Sequence, residues 1–220
     1  RRIPPENMTT IPNYVITVGR QFGSGGRKLG RALADRLAIS FYDKRLLVEA
    51  AQASGMTLEL FEKNDERFPR FVSGIFSFAQ GCMPLSTGAG NSALSSDRFY
   101  SAMCDFMHEL VARESCVIVG RTSDYVLRDH PHCVNLFVHA PMSHCVANIL
   151  ERGECEDADK ARSKAEKVNR LRSEFYNFYT DKRWGDAASY DLTIDSSSVS
   201  LDDAVELVVS YLRMRGIPVR

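Results

Sequence analysis

The chain has 220 residues and a mass of 24.7 kDa, enough for one α/β domain with a substantial core and a small appended subdomain, but tight for two full domains. Its 44% hydrophobic, 25% charged and 10% aromatic content argues against wholesale disorder, collagen-like repeats and coiled coil. No run approaches the roughly 18 apolar residues that cross a bilayer. With 28 basic against 28 acidic residues the net charge is zero, which speaks against a general polyanion-binding surface; no feature points to nucleic acid or membrane as a partner. The basic residues are lopsided, 21 Arg to 7 Lys, and Arg is the side chain suited to gripping phosphate bidentately. Six cysteines (Cys82, Cys104, Cys116, Cys133, Cys145 and Cys155) form no C-x-x-C pair. They read as small core hydrophobes in a reduced compartment, with the cytoplasm as the expected location. The opening RRIPPENMTT has no apolar signal core and does not begin with Met; it reads as a trimmed or cloned end.

In chain order, residues 14–18 form a short β-branched run that predicts a buried strand, followed by a glycine-rich turn, Gly23-Ser-Gly-Gly26. Leu29, Leu33 and Leu37 then recur at helical spacing. A second short strand covers 39–42 and a helix 44–53. Residues 56–97 differ in character: a short helix, the aromatic stretch Phe68, Phe71, Phe76 and Phe78, and the small-residue segment 86–92, the best candidate for a mobile connection. Regular order resumes with a helix over 97–113, a strand over 116–119 and a helix opened by Gly120-Arg121. Next come a strand over 133–138, a helix over 142–152, and a charged helical stretch over 154–179, long enough to be broken in two. A strand over 190–194 and a helix over 201–214 close the chain. Five strands alternating with helices predict a parallel sheet covered on both faces.

The first strand–turn–helix carries the chemistry. Glycines let the backbone bend sharply and bring N–H groups close to an anion, and a helix N-terminus adds partial positive charge. Arg27 and Lys28, in the first helical turn, can add full charge. Two patterns compete. The phosphate-loop consensus G-x-x-x-x-G-K-[ST] fails: with Gly25 as its second glycine, Arg20 stands at the first, Gly26 replaces the lysine and Arg27 the hydroxyl residue. The dinucleotide pattern G-x-G-x-x-G fails at Lys28, although Asp43 supplies its acidic residue about 20 positions on. Spacing alone leaves both open.

The motifs taken together are more specific. Gly23-Ser-Gly-Gly-Arg27, Leu33-Ala-Asp-Arg-Leu37 and Phe41-Tyr-Asp-Lys44 resemble the opening of the cytidylate-kinase-like family, a branch of the P-loop nucleoside monophosphate kinases. The resemblance continues through Cys116-Val-Ile-Val-Gly-Arg121, Asp124-Tyr-Val-Leu127, Ile149-Leu-Glu-Arg152, Asn169-Arg170 and Tyr190-Asp-Leu-Thr-Ile-Asp195. It leaves 56–97 poorly matched. It implies a three-layer α/β P-loop kinase fold with a five-stranded parallel sheet. The core would comprise 13–57, 100–150 and 184–216, with a helical monophosphate-binding insertion at 58–99 and an arginine-bearing lid at 151–183. The implied reaction moves the γ-phosphoryl group of ATP, with Mg²⁺, to CMP or dCMP, chemistry that needs charge neutralisation and alignment.

On that resemblance Gly23, Ser24, Gly25, Gly26 and Arg27 would wrap the donor phosphates. Arg27 or Lys28 would stand in for the lysine, and Ser24 would offer a hydroxyl to the metal. Asp43, Arg121 and Asp124 would face the acceptor; helix capping is the plainer role for Asp43, as favouring a helix N-terminus is for Asp124. Arg152, Arg162, Arg170 and Arg172 would lie on or beside the lid, with Arg170 as the catalytic finger. Cys145 and Asn148 stand where such kinases often carry arginines. Phe175, Phe178 and Tyr179 read as core or as subunit contact, which leaves room for a homodimer. Three alternatives remain at this stage: a nucleotide-binding regulatory protein or pseudokinase of the same fold, a kinase of another small acceptor, and a dinucleotide-binding oxidoreductase.

Overall fold

The fold is that of a computed structural model, which describes residues 12–53 and 92–219. The expectations for 54–91, comprising most of the insertion, the Phe68–Phe78 stretch and Cys82, lie outside the described residues. In chain order the described elements are β1 (Val15–Arg20), α1 (Gly26–Leu37), β2 (Ser40–Tyr42), α2 (Lys44–Ala53), α3 (Ser92–Arg113), β3 (Cys116–Val119), α4 (Ser123–Val126), β4 (Cys133–His139), α5 (Met142–Glu151), α6 (Ala158–Thr180), β5 (Leu192–Asp195) and α7 (Leu201–Met214).

The strands pair in the order β2-β3-β1-β4-β5, all parallel, as expected. That order bears on the open choice between phosphate and dinucleotide loops. In the dinucleotide fold β2 lies beside β1; here β3 stands between them.

Side chains alternate across the sheet with period two and each face is buried under helices. Ile16, Val18, Val117 and Val119 join Leu29, Leu33 and Leu37 of α1 and Val205, Val208 and Leu212 of α7. Val15, Cys116 and Ile118 join Met103, Phe106, Met107 and Leu110 of α3 and Leu127. Cys116, Cys133 and Cys145 are buried free thiols; Cys104 and Cys155 are half-buried and also free.

Two expectations change. The stretch over 154–179 is not broken in two. No Gly or Pro interrupts residues 158–180, Gly153 takes the preceding turn at φ +66°, and the Asp157 side chain caps α6 by accepting from the Lys160 N–H at 2.7 Å. The expected helix at Gly120-Arg121 is a single turn, α4, because Gly120, Arg121 and Thr122 all adopt left-handed backbone at φ +79°, +65° and +54°. The α1 packing face is sensitive to truncation. Leu33, fully buried between α1 and the sheet, when changed to Ala should lose about 2–5 kcal/mol in urea unfolding.

Candidate active site

The carboxyl ends of β1, β2 and β3 open onto one mouth, where ligands bind in open α/β sheets. β1 projects past β3: their pairing stops at Val18↔Val119, while β1 and β4 stay paired to Arg20↔Val138. The loop of residues 21–25 then turns the chain into α1. Gly23 takes φ +87° and lies so close to α5 that a Cβ there would sit 2.6 Å from the Cys145 carbonyl oxygen. Gly25 takes φ +78°, and a Cβ there would meet nothing within 4 Å, so the space above it is open.

The loop's carbonyls are turned outward onto protein donors. Arg172 Nη1 donates to Arg20 O at 2.9 Å, Asn148 Nδ2 to Gly23 O at 2.8 Å and the Ser196 hydroxyl to Ser24 O at 2.6 Å. The Phe22 N–H donates to Asn169 Oδ1 at 2.7 Å. The first α1 rung is Leu29 N–H to Gly25 O at 3.0 Å. The amides of Gly26, Arg27 and Lys28 therefore precede the helical ladder, at the positive end of the helix dipole.

Basic side chains converge on this concavity. Arg20, Lys44, Arg121 and Arg172 come near enough that the three guanidiniums act on the Lys44 ammonium. Burial, and then repulsion from Arg121, Arg20 and Arg172, brings Lys44 down to about 7. Burial likewise lowers Arg20 and Arg121 to about 10; on Arg20 attraction from Asp43 opposes the shift and repulsion from Arg27 adds to it, and on Arg121 repulsion from Arg20 adds to it. Arg172 is lowered by burial and by Arg20. Half-buried cations held this close repel one another, with Asp43 offsetting part of the charge on Arg20, so the mouth favours an anion.

The sequence profile of the cytidylate kinase-like family matches residues 15–198. The chain belongs to that family. No curated protein matches it. Among solved structures it resembles an uncharacterized protein from Eubacterium ventriosum ATCC 27560, at 24% identity and TM-score 0.68 over 91% of this chain and 99% of that one. It also resembles the shikimate kinase from Acinetobacter baumannii in complex with shikimate, at 14% identity and TM-score 0.50 over 95% and 97%. A sugar kinase from Janibacter sp. HTCC2649 matches at 15% identity and TM-score 0.50 over 92% and 95%. These likenesses establish the P-loop kinase fold.

Several site expectations for this cytidylate kinase-like chain are redistributed. Arg27 is committed to Asp43, with Nε and Nη2 at 2.8 and 2.6 Å from Oδ2, and its side chain stays 68% exposed. Asp43 also caps α2 by accepting from the Arg45 and Leu46 N–H groups, so it holds the capping role while standing at the mouth. Burial alone would raise its carboxyl, but the Leu46 N–H, Arg27 and the Arg45 N–H hold it below the usual range. Lys28 is exposed on α1. The Ser24 hydroxyl is buried and faces the Gln21 and Val138 carbonyls at 2.9 and 3.0 Å, so it does not fit the role of a metal ligand.

Asp124, expected to face the acceptor, is turned into the core against α6. Its buried carboxylate accepts from the Tyr176 hydroxyl of α6 at 2.6 Å, and burial raises it, partly offset by that bond. On α6, Arg172 reaches the loop backbone, while Arg170, the expected catalytic finger, points away from it. The two lie about 200° apart around the helix, and Arg170 stays 70% exposed, 4.0 Å from Glu174. Arg162 is exposed. Arg152 pairs with Glu154 at 2.8 Å, its guanidinium 5.8 Å from the Phe22 ring. Phe175 and Tyr179 pack on Tyr100 of α3, whose ring stacks on Tyr179 at 4.0 Å. Tyr100 also bonds the Thr122 hydroxyl at 2.8 Å and so braces the left-handed segment that carries Arg121.

Sequence reasoning passed over Arg20 and Lys44 as functional residues. Each had a signal: Arg20 fills the consensus glycine position, and Lys44 directly follows Asp43 at the end of β2. Asn148 and Asn169 stood out only as family positions and Ser196 not at all, since their bonds depend on where α5, α6 and the segment after β5 meet the loop.

Two predictions follow from this geometry. A non-titrating anion such as sulfate would favour charged Lys44, so binding takes up a proton wherever the free site holds Lys44 neutral. Sulfate affinity should be level below about pH 7 and fall as pH rises above it, with proton uptake visible by calorimetry in buffers of different ionisation enthalpy. Tyr176→Phe strips the buried Asp124 carboxylate of its hydroxyl donor and should cost about 1–3 kcal/mol in urea unfolding.

Proposed function

We propose that this chain transfers the γ-phosphoryl group of ATP to a small anionic acceptor, with CMP or dCMP as the acceptors that the family favours. The carrying observation is the convergence of Arg20, Lys44, Arg121 and Arg172 beside the first amides of α1. Phosphoryl transfer asks for alignment and charge stabilisation without a covalent nucleophile, and a desolvated cationic mouth supplies both. The α1 amides and the β1 side of the cluster would hold the donor phosphates. Arg121 and Lys44, at the ends of β3 and β2, would hold the acceptor's anionic group. Arg172, from the lid helix, would reach the transferring group between them.

Magnesium would arrive on the ATP phosphates, where it neutralises their charge and needs few protein ligands. Ser24 does not fit as one; Asp43 is the carboxylate at the mouth able to face the ion's waters. ATP and Mg²⁺ are therefore the proposed cofactors, and soluble nucleotides the proposed partners. The described residues contain no helix long and apolar enough to cross a membrane.

A kinase of another small acceptor is the second reading, because the fold is shared with proteins named shikimate kinase and sugar kinase. The test is ADP formation from Mg-ATP with each ribo- and deoxyribonucleoside monophosphate, and with shikimate and gluconate. Turnover with CMP or dCMP supports the first reading, and turnover only with a carboxylated or sugar acceptor the second. Folded protein that binds ATP and turns over nothing would point to a nucleotide-responsive regulatory protein. In an active enzyme, Arg121→Ala should lower kcat/KM by about 10²–10³-fold.

A further inference from the structure

We propose that Arg20 takes over the phosphate grip of the missing consensus lysine, and that positions 20 and 26 form a steric pair of which only one member can carry a side chain. The inference rests on the reading of this loop as a phosphate site and assigns a residue that the consensus does not contain. In G-x-x-x-x-G-K-[ST] the first glycine corresponds to Arg20 and the lysine to Gly26. Glycine and cation have exchanged ends of the loop.

The exchange has a physical cause. Gly26 is the first residue of α1 and is not among the positive-φ glycines, so its backbone conformation would accept any residue. What excludes a side chain is space: a Cβ at 26 would lie 2.5 Å from Arg20 Cβ, 3.1 Å from Arg20 Cγ and 3.1 Å from Val138 Cβ. Arg20 Cβ is fixed by β1, which is paired with Val138 at that position, so it cannot swing aside as a side-chain tip would. A residue larger than glycine fits at 20 or at 26.

With 26 empty, the Arg20 stem crosses the start of α1 and its guanidinium lies over Gly120, where β3 has already turned away. A Cβ at Gly120 would collide with Arg20 Nη1. The guanidinium thereby reaches the centre of the mouth, beside Asp43 and Arg27 and within range of Lys44, Arg121 and Arg172. Asp43 offsets part of this charge, but its carboxylate is shared with Arg27 and with two α2 amides. Arg172 meanwhile anchors the Arg20 carbonyl. A guanidinium held from a sheet strand offers a rigid fork to two phosphate oxygens, where lysine offers a flexible point charge.

The experiment titrates inorganic tripolyphosphate and ATP by calorimetry and measures ADP formation in parallel. It compares wild type, Arg20→Met, Arg20→Lys, Arg20→Gly and the exchanged pair Arg20→Gly/Gly26→Lys, each checked for folding by circular dichroism. Arg20→Met keeps the stem and removes the charge; it should weaken tripolyphosphate binding about 10–100-fold, with Arg20→Lys intermediate. The exchanged pair should bind at least about tenfold tighter than Arg20→Gly. Wild-type affinity in Arg20→Met, or absence of tripolyphosphate binding by wild type, overturns the inference. So does a folded exchanged pair no tighter than Arg20→Gly; if that pair does not fold, the Met and Lys variants decide. Arg20-dependent binding without ADP formation sinks the transferase reading and leaves this inference standing. Unchanged binding and turnover in Arg20→Met do the reverse.

Discussion

The site depends on the forced proximity of like charges. Arg20, Lys44, Arg121 and Arg172 are drawn out of bulk water against their mutual repulsion, which is why Lys44 falls to about 7 and the arginines are lowered. In water these side chains would splay apart. Here each starts from rigid backbone: Arg20 from the end of β1, Lys44 from the start of α2, Arg121 from the left-handed bend after β3, and Arg172 from the middle of α6. The repulsion is a cost that core burial carries and that an entering anion would relieve.

Holding that arrangement explains features that otherwise look unrelated. Three successive residues in left-handed backbone cost about 1–2 kcal/mol for each non-glycine, and the bend persists because Tyr100 bonds Thr122 while Gly120 N–H pairs with Val18 O. Helix α6 is tied at both ends of the mouth. Asn169 and Arg172 bind the loop backbone, and one turn beyond Arg172, Tyr176 locks onto the buried carboxylate of Asp124. Any movement of α6 away from the core therefore breaks loop contacts and strands Asp124 together. Asp124 carries charge into the core to dock the helix that bears an arginine.

The loop shows the same division of labour. Its carbonyls are held by Arg172, Asn148 and Ser196 and its Gln21 and Phe22 amides by Val138 and Asn169, while the amides of Gly26, Arg27 and Lys28 at the start of α1 precede the helical ladder. The asparagine and cysteine that replace expected arginines on α5 have work of their own: Asn148 holds Gly23 O, and Cys145 packs against the residue that must stay glycine.

Much of this was legible in the residues. The short β-branched runs, the leucines of α1 and the alternation of strand with helix point to a parallel α/β sheet, because those patterns are local and each reflects the geometry of its own element. The glycine run marks the phosphate loop, and Arg121 follows its strand at the mouth, for the same reason. The strand order, with β3 between β1 and β2, was left to tertiary structure. So was the identity of the cations. Arg170 and Arg172 look equivalent in sequence, and only the seating of α6 decides that Arg172 faces inward. Arg27 and Lys28 sit nearest the glycines, yet Arg27 is claimed by Asp43 and Lys28 is exposed. Arg20 and Lys44 gain their role because three strands end side by side and bring together residues more than 20 positions apart. Long-range packing sets those distances; a linear pattern contains the charges but not the space between them.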